Sequence, residues 1–239
     1  MVEQDRFCTA PDGTRIAYAT WGDGPGRPLV RAATWLTHVG EDEAFFRHWR
    51  EDLATDRPFL RYDLRGCGLS DRDVADLSLE AKVSDLACVV DAAQLDRFDL
   101  LGLSGGGAIA VAYAVRYPER VANLVLYGCF AQGLGAWDRG APDHQEEEEL
   151  LLSLTRVGWG RANPAFRRVF TTLFMPDASP DRAAAFEELQ LLSCTGEMAE
   201  RIRRASYQTD VVDLARRVSV PTLVLQVHGD AVAPFEQGR

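Results

Sequence analysis

Apolar residues recur along this chain with two periods that take turns: a spacing of two over short runs and a spacing of three to four over longer ones. Two short β-like runs, 6–10 and 14–20, flank Pro11-Asp12-Gly13. Asp-Gly between such runs marks a hairpin, because both residues tolerate positive φ, so strands β1 and β2 are placed there. A Gly/Pro-rich turn at 22–28 leads to β3, Leu29-Val30-Arg31-Ala32-Ala33, and then to Phe45, Trp49 and Leu53 at the spacing of a helix face. Strand β4 follows at 59–62. Leu79, Val83, Leu86 and Val90 repeat with the period of an amphipathic helix ahead of β5 at 98–103. From Gly107 to Val115 the run is apolar on every side, which a helix tolerates only when buried, and Pro118 closes it before β6 at 121–127.

Strands separated by helices of this length predict βαβ units: an α/β fold whose mostly parallel sheet carries helices on both faces. The alternation stops over 131–214, where four helical patterns (147–156, 164–174, 180–192 and 197–207) occur without a convincing strand. That stretch reads as a helical cap inserted between β6 and β7, with β7 introduced by Pro221 and running over 222–227. The expected division is a core of 1–130 and 215–239 and a cap of 131–214. Neither an internal repeat nor a low-complexity linker is visible.

Composition narrows the function classes without choosing one. With 239 residues, 46% of them hydrophobic and 26% charged, the chain has the make-up of one soluble globular domain with a sizeable core. Its formal charge of −10 argues against nucleic-acid binding, which needs a basic surface to displace counterions, and against anionic membranes. Glu146 to Glu149 reads as a solvated helix face. Five cysteines, at 8, 67, 88, 129 and 194, show neither a disulfide framework nor zinc-ligand spacing. A cytoplasmic protein without metal or cofactor is expected, since neither a leader-like N-terminus nor a membrane-length apolar run is present.

The most informative run is Leu101-Gly102-Leu103-Ser104-Gly105-Gly106-Gly107, a G-x-S-x-G sequence with a strand before it and a helix after it. The glycines answer crowding: a serine on a sharp strand-to-helix turn needs neighbouring backbone to approach where a Cβ would clash. The helix N-terminus directs N–H groups at any oxyanion forming beside Ser104, with Gly105 N–H as first donor. The competing readings are a glycine-rich packing turn and an anion-binding loop. A phosphate loop would need G-x-x-x-x-G-K-[S/T], which is missing.

Two further segments join this one. Asp63-Leu64-Arg65-Gly66-Cys67-Gly68-Leu69-Ser70 follows β4, and Val227-His228-Gly229-Asp230-Ala231-Val232-Ala233-Pro234 follows β7. With the serine motif they stand in the order found in α/β-hydrolases, and over essentially its whole length the chain resembles that family. The wording of Trp35-Leu36-Thr37-His38 and of 221–239 is most similar to the hydrolase-like proteins and domains found alone or attached to bacterial regulators and cyclases. The resemblance implies Ser104 as nucleophile, Asp230 as the acid that orients a histidine, and Trp35 N–H as second oxyanion donor with Leu36 as substitute. Leu36 and His38 are candidate pocket residues, and Asp63 and Arg65 organise their loop. Trp137, Trp159, Phe166, Phe170 and Phe174 of the cap are candidates for an acyl pocket, with core packing as the competing reading.

The family's catalytic histidine lies after a further strand beyond the acid, whereas this chain stops at Arg239, so the C-terminal part of the fold is expected to be missing and activity impaired. Of the four histidines, His48 and His144 read as surface residues, His228 as structural, and His38 as a pocket residue. The expected reaction is hydrolysis of a small ester or related acyl substrate through an acyl-enzyme. Lactone hydrolysis, perhydrolysis and carbon–carbon bond hydrolysis are variants of the same site, and the alternative is a ligand-sensing domain without turnover. Serine at position 104 counts against a dehalogenase or epoxide hydrolase, which would present Asp there. The sheet edge at β7 is expected to support homo-oligomers.

Overall fold

The computed structural model describes residues 6–40, 43–133, 136, 142–159, 164–230 and 232–238. β1 (Arg6–Thr9) and β2 (Arg15–Trp21) form the expected hairpin. At its turn Gly13 takes a φ of 90°, and the Asp12 carboxylate accepts from Thr14 N–H at 3.0 Å. β3 (Leu29–Arg31), β4 (Phe59–Tyr62), β5 (Phe98–Leu103), β6 (Val121–Tyr127) and β7 (Thr222–Leu225) complete a seven-stranded sheet in the order β1-β2-β4-β3-β5-β6-β7. Only the pairs β1·β2 and β2·β4 are antiparallel.

Alternation along the strands puts an apolar layer on each face of this sheet. Val30, Leu60, Leu100 and Leu124 pack with Val83, Leu86 and Val90 of α2 (Leu79–Ala92) and with the buried helix α3 (Gly106–Arg116). Their neighbours Leu29, Phe59 and Leu101 turn to the other face, against Trp49 and Leu53 of α1 (Glu43–Leu53).

Between β6 and β7 run α4 (Pro142–Gly158), α5 (Pro164–Phe174), α6 (Pro180–Ser193), α7 (Gly196–Tyr207) and a short α8 (Val212–Ala215). Ser179 and Thr195 cap α6 and α7, their hydroxyls accepting from Arg182 and Met198 N–H. Neither α8 nor the 3-10 turn at Phe235–Gly238 was read from the sequence, being too short to show a period. β7 ends at Leu225, two residues earlier than its pattern suggested. Trp137 lies outside the described residues, as does the side chain of His144. No described helix is long and apolar enough to cross a membrane.

Candidate active site

β5 ends at the C-terminal edge of the parallel strands, where α/β sheets place their ligand crevices, and the next residue is Ser104. Its φ of 49° is left-handed, one of two such values among the described non-glycine residues. A serine at this φ persists only where its surroundings enforce it. Ser104 N–H donates to the Tyr127 carbonyl at 3.1 Å, and its own carbonyl accepts from Gly107 N–H at 2.9 Å. The flanking glycines permit the turn: a Cβ on Gly102 would sit 2.8 Å from Gly107 Cα, and one on Gly106 would sit 2.9 Å from the Ala32 carbonyl oxygen. Behind the turn the Cys129 thiol donates to the Gly102 carbonyl at 3.2 Å. Burial pushes that thiol up to about 12, so it braces the turn and is no nucleophile.

Gly105 and Trp35 both line a cavity at this turn. Among the described residues Gly105 N–H has no acceptor, and neither has Trp35 N–H or Leu36 N–H. The Trp35 carbonyl is held from the other side by the Cys67 thiol, which donates at 3.1 Å. The Trp35 indole stacks on Trp159 with centroids 4.7 Å apart and lies 5.9 Å from the Phe174 ring.

Ser104, Gly105, Trp35 and Phe174 line a cavity of about 870 Å³. Residues that sequence reasoning did not single out also line it: Lys82 from α2, Phe130 and Gln132 after β6, Arg203, Ser206 and Tyr207 from α7, and Gln237. Gln237 holds the segment after β6 in place, since its side-chain oxygen accepts from Ala131 and Gln132 N–H at 3.0 and 3.2 Å. Trp159 and Phe170 are fully buried and sit behind the wall, not in it.

Leu36 and His38 do not line this cavity, in contrast to the sequence expectation. The reason is Asp63, which draws their loop into the core by accepting from Val39 N–H at 3.0 Å and from Leu69 N–H at 2.8 Å. Burial raises Asp63 to about 6 against the pull of those two donors, of the His38 charge and of Arg61. His38 is thus a buried neighbour of Asp63, and its Nδ1 has no hydrogen-bond partner. Arg65 organises the same loop: it grips Asp85 through two nitrogens at 2.7 and 2.6 Å and Asp12 at 2.8 Å.

Asp230 lies beyond β7, two strands along the sheet edge from Ser104. Its Oδ1 accepts from Val232 and Ala233 N–H at 2.8 and 3.0 Å, which fixes the turn. Its Oδ2 has no donor among the described residues and lies 3.7 Å from where a Cβ on Gly128 would stand. Asp230 is outside the cavity lining, although Val232 and Pro234 belong to it. No histidine is among the described residues that line the cavity. His228 stacks on Phe235 at 3.9 Å and His48 is exposed on α1. The described residues contain no cluster of three metal-ligating side chains.

A family model described as the alpha/beta hydrolase fold matches residues 38–237. The chain belongs to the α/β-hydrolase family. Pyrrolizixenacetamide deacetylase of Xenorhabdus hominickii is 26% identical over 230 residues, which cover 94% of this chain and 81% of that protein. Among solved structures, a thermophilic esterase from Thermogutta terrifontis is 25% identical with a TM-score of 0.75, covering 98% of this chain and 84% of that one. The esterase EaEST from Exiguobacterium antarcticum superposes with a TM-score of 0.80 at 24% identity, covering 98% of this chain and 85% of its own, and supports the fold alone. As a member of this family the chain is a hydrolase by descent.

Proposed function

We propose that this chain is a serine hydrolase acting on a small ester or related acyl substrate through an acyl-enzyme at Ser104. One observation carries the reading: Ser104 is held at φ 49° on the wall of the cavity together with Gly105 and Trp35, whose N–H groups have no acceptor among the described residues. In this reading Ser104 Oγ attacks the substrate carbonyl, the carbonyl oxygen becomes an oxyanion, and the two N–H groups receive it. The alcohol leaves with a proton, and water releases the acid. The names of the Xenorhabdus deacetylase and the Thermogutta esterase favour acyl transfer. Residues 131–214 would act as the cap, since α7 furnishes one cavity wall.

The weak point is the proton on Ser104. Asp230 Oδ2 is suited to accept an imidazole N–H, yet no described residue of the cavity wall is a histidine, so in this reading turnover is slow and depends on a base from solution. The same observation favours a second reading, a ligand-sensing pocket without turnover. A test separates the two. With p-nitrophenyl acetate as substrate, added imidazole should accelerate the protein above its Ser104→Ala control, and in that same imidazole buffer a fluorophosphonate should label Ser104 and not the control. No labelling of a folded protein that still binds ligands would decide for the sensor.

A further inference from the structure

Two cations in the cavity wall make no ion pair with a carboxylate among the described residues, although Asp85 and Asp76 act on one of them, Lys82, from farther off. Arg203, on α7, is 7% exposed, and its guanidinium carbon stands 5.0 Å from the Trp35 ring centroid, 5.4 Å from Phe170 and 5.2 Å from Tyr207. One terminal nitrogen donates to the Tyr207 hydroxyl, and Nε is buried without an acceptor. Lys82, on α2, is 9% exposed, and its ammonium makes no ion pair or hydrogen bond among the described residues. Acids are not scarce nearby. Arg204, the next residue along α7, takes Glu200 at 2.8 Å and Glu149 at 3.6 Å. The acids that line the cavity, Glu147 and Asp210, are both exposed, and Asp210 already accepts from Gln132 and Val212.

The rings around Arg203 offset part of the cost of taking its charge out of water, but ring faces do not accept the in-plane bond of the Nε edge. A buried charged donor without an acceptor is disfavoured unless a ligand or water completes it. The planar fork of a guanidinium matches a carboxylate. The position is telling as well. Ser206 lies one turn along α7 from Arg203, about 4.5 Å of axial rise, and its hydroxyl oxygen is 3.6 Å from where a Cβ on Gly105 would stand. The guanidinium also rests on the Trp35 ring, and Trp35 lines the cavity together with Ser104.

We infer that this cavity takes an acyl substrate carrying a carboxylate, seated on Arg203 with Lys82 as a second positive wall and joined by a short chain to the acyl group over Ser104. The reacting group rests on the hydrolase reading above; the anion site rests on the cavity's charges alone. The test therefore measures binding without turnover. Calorimetry on the Ser104→Ala protein compares monomethyl glutarate with uncharged dimethyl glutarate. The monoanion should bind about ten-fold tighter, the size of one charge-assisted contact. Arg203→Gln should erase that preference and leave the diester within about two-fold, and Arg203→Lys should restore part of it. Should Arg203→Gln not fold, Lys82→Met must lower the monoanion's affinity alone. Equal affinity for the two esters overturns the inference, and so does a preference that survives Arg203→Gln. Selective anion binding with no ester turnover by the parent protein would reject the hydrolase reading and uphold the anion site. Turnover without anion preference would do the reverse.

Discussion

Lys82 shows how one misplaced charge marks a site. It falls three residues after Leu79 and four before Leu86, on the apolar stripe of α2, where burial lowers its pKa from 10.5 to about 8. The folded chain therefore gives up this proton more readily than the unfolded one. Between pH 8 and 10.5 the unfolded state binds more protons, so the contribution of Lys82 to stability rises with pH. It is fully present above 10.5 and lost as pH falls through 8. Lys82→Met should stabilise the protein at pH 7 by about 2–3 kcal/mol and flatten its stability profile above pH 8 relative to the parent. Urea midpoints at stepped pH check this, and parallel profiles would refute it. The sequence displayed the anomaly, a lysine on an apolar stripe, but a stripe does not say whether its edge faces solvent or a cavity. The sharp turn at Ser104 was legible for the opposite reason: glycines packed around a serine between a strand and a helix announce it directly.

At the scale of elements, the loop after β4 is held by charge pairs that link it to α2 and to the first hairpin. Arg65 and Asp85 are 1% and 0% exposed at the side chain, and Asp12 adds a second carboxylate. Replacing the guanidinium by a hydrocarbon leaves Asp85 charged and buried, so Arg65→Leu should cost about 3–5 kcal/mol, read as a lowered denaturation midpoint. An unchanged midpoint would mean that water reaches Asp85. Asp63 acts in the same loop, and its pull on Val39 is why His38 turns into the core and away from Ser104. Sequence spacing put His38 near the pocket, but the buried Asp63 carboxylate, 24 residues beyond the Val39 it grips, decided its direction. The helices of 131–214 were legible from period and caps. Their inward residues were less so: in Arg201-Ile202-Arg203-Arg204, Arg201 donates to the Val74 and Ala75 carbonyls, Arg204 pairs with acids, and of the three arginines only Arg203 is buried. Three arginines in four positions share a helix too closely for periodicity to separate them.

At the scale of the molecule, alternating strands and helices announced a parallel sheet, while strand order, which crosses over at β3 and β4, is fixed by packing between distant segments and has no local signal. The same sheet carries a consequence at β7. It is an edge strand, and Leu223, Val224 and Leu225 are 52%, 45% and 43% exposed. The Pro221 and Leu225 carbonyls accept from Leu124 and Gly128 N–H. By the alternation of a strand, 221, 223 and 225 thus bond to β6, while Thr222 and Val224 direct their N–H and C=O groups outward. An apolar edge with free polar groups is a template for pairing, most simply with the β7 of a second copy about a two-fold axis. We propose that this polypeptide self-associates through β7, so sedimentation should show mass above the monomer that grows as the protein concentration is raised. Val224→Pro removes an outward N–H without touching the ladder to β6, and should return the protein to monomer with its thermal midpoint nearly unchanged. A parent that sediments as a monomer would refute the association. Association that persists in Val224→Pro would move the contact to the apolar faces of Leu223 and Leu225, where paired lysine substitutions would then be the ones to abolish it.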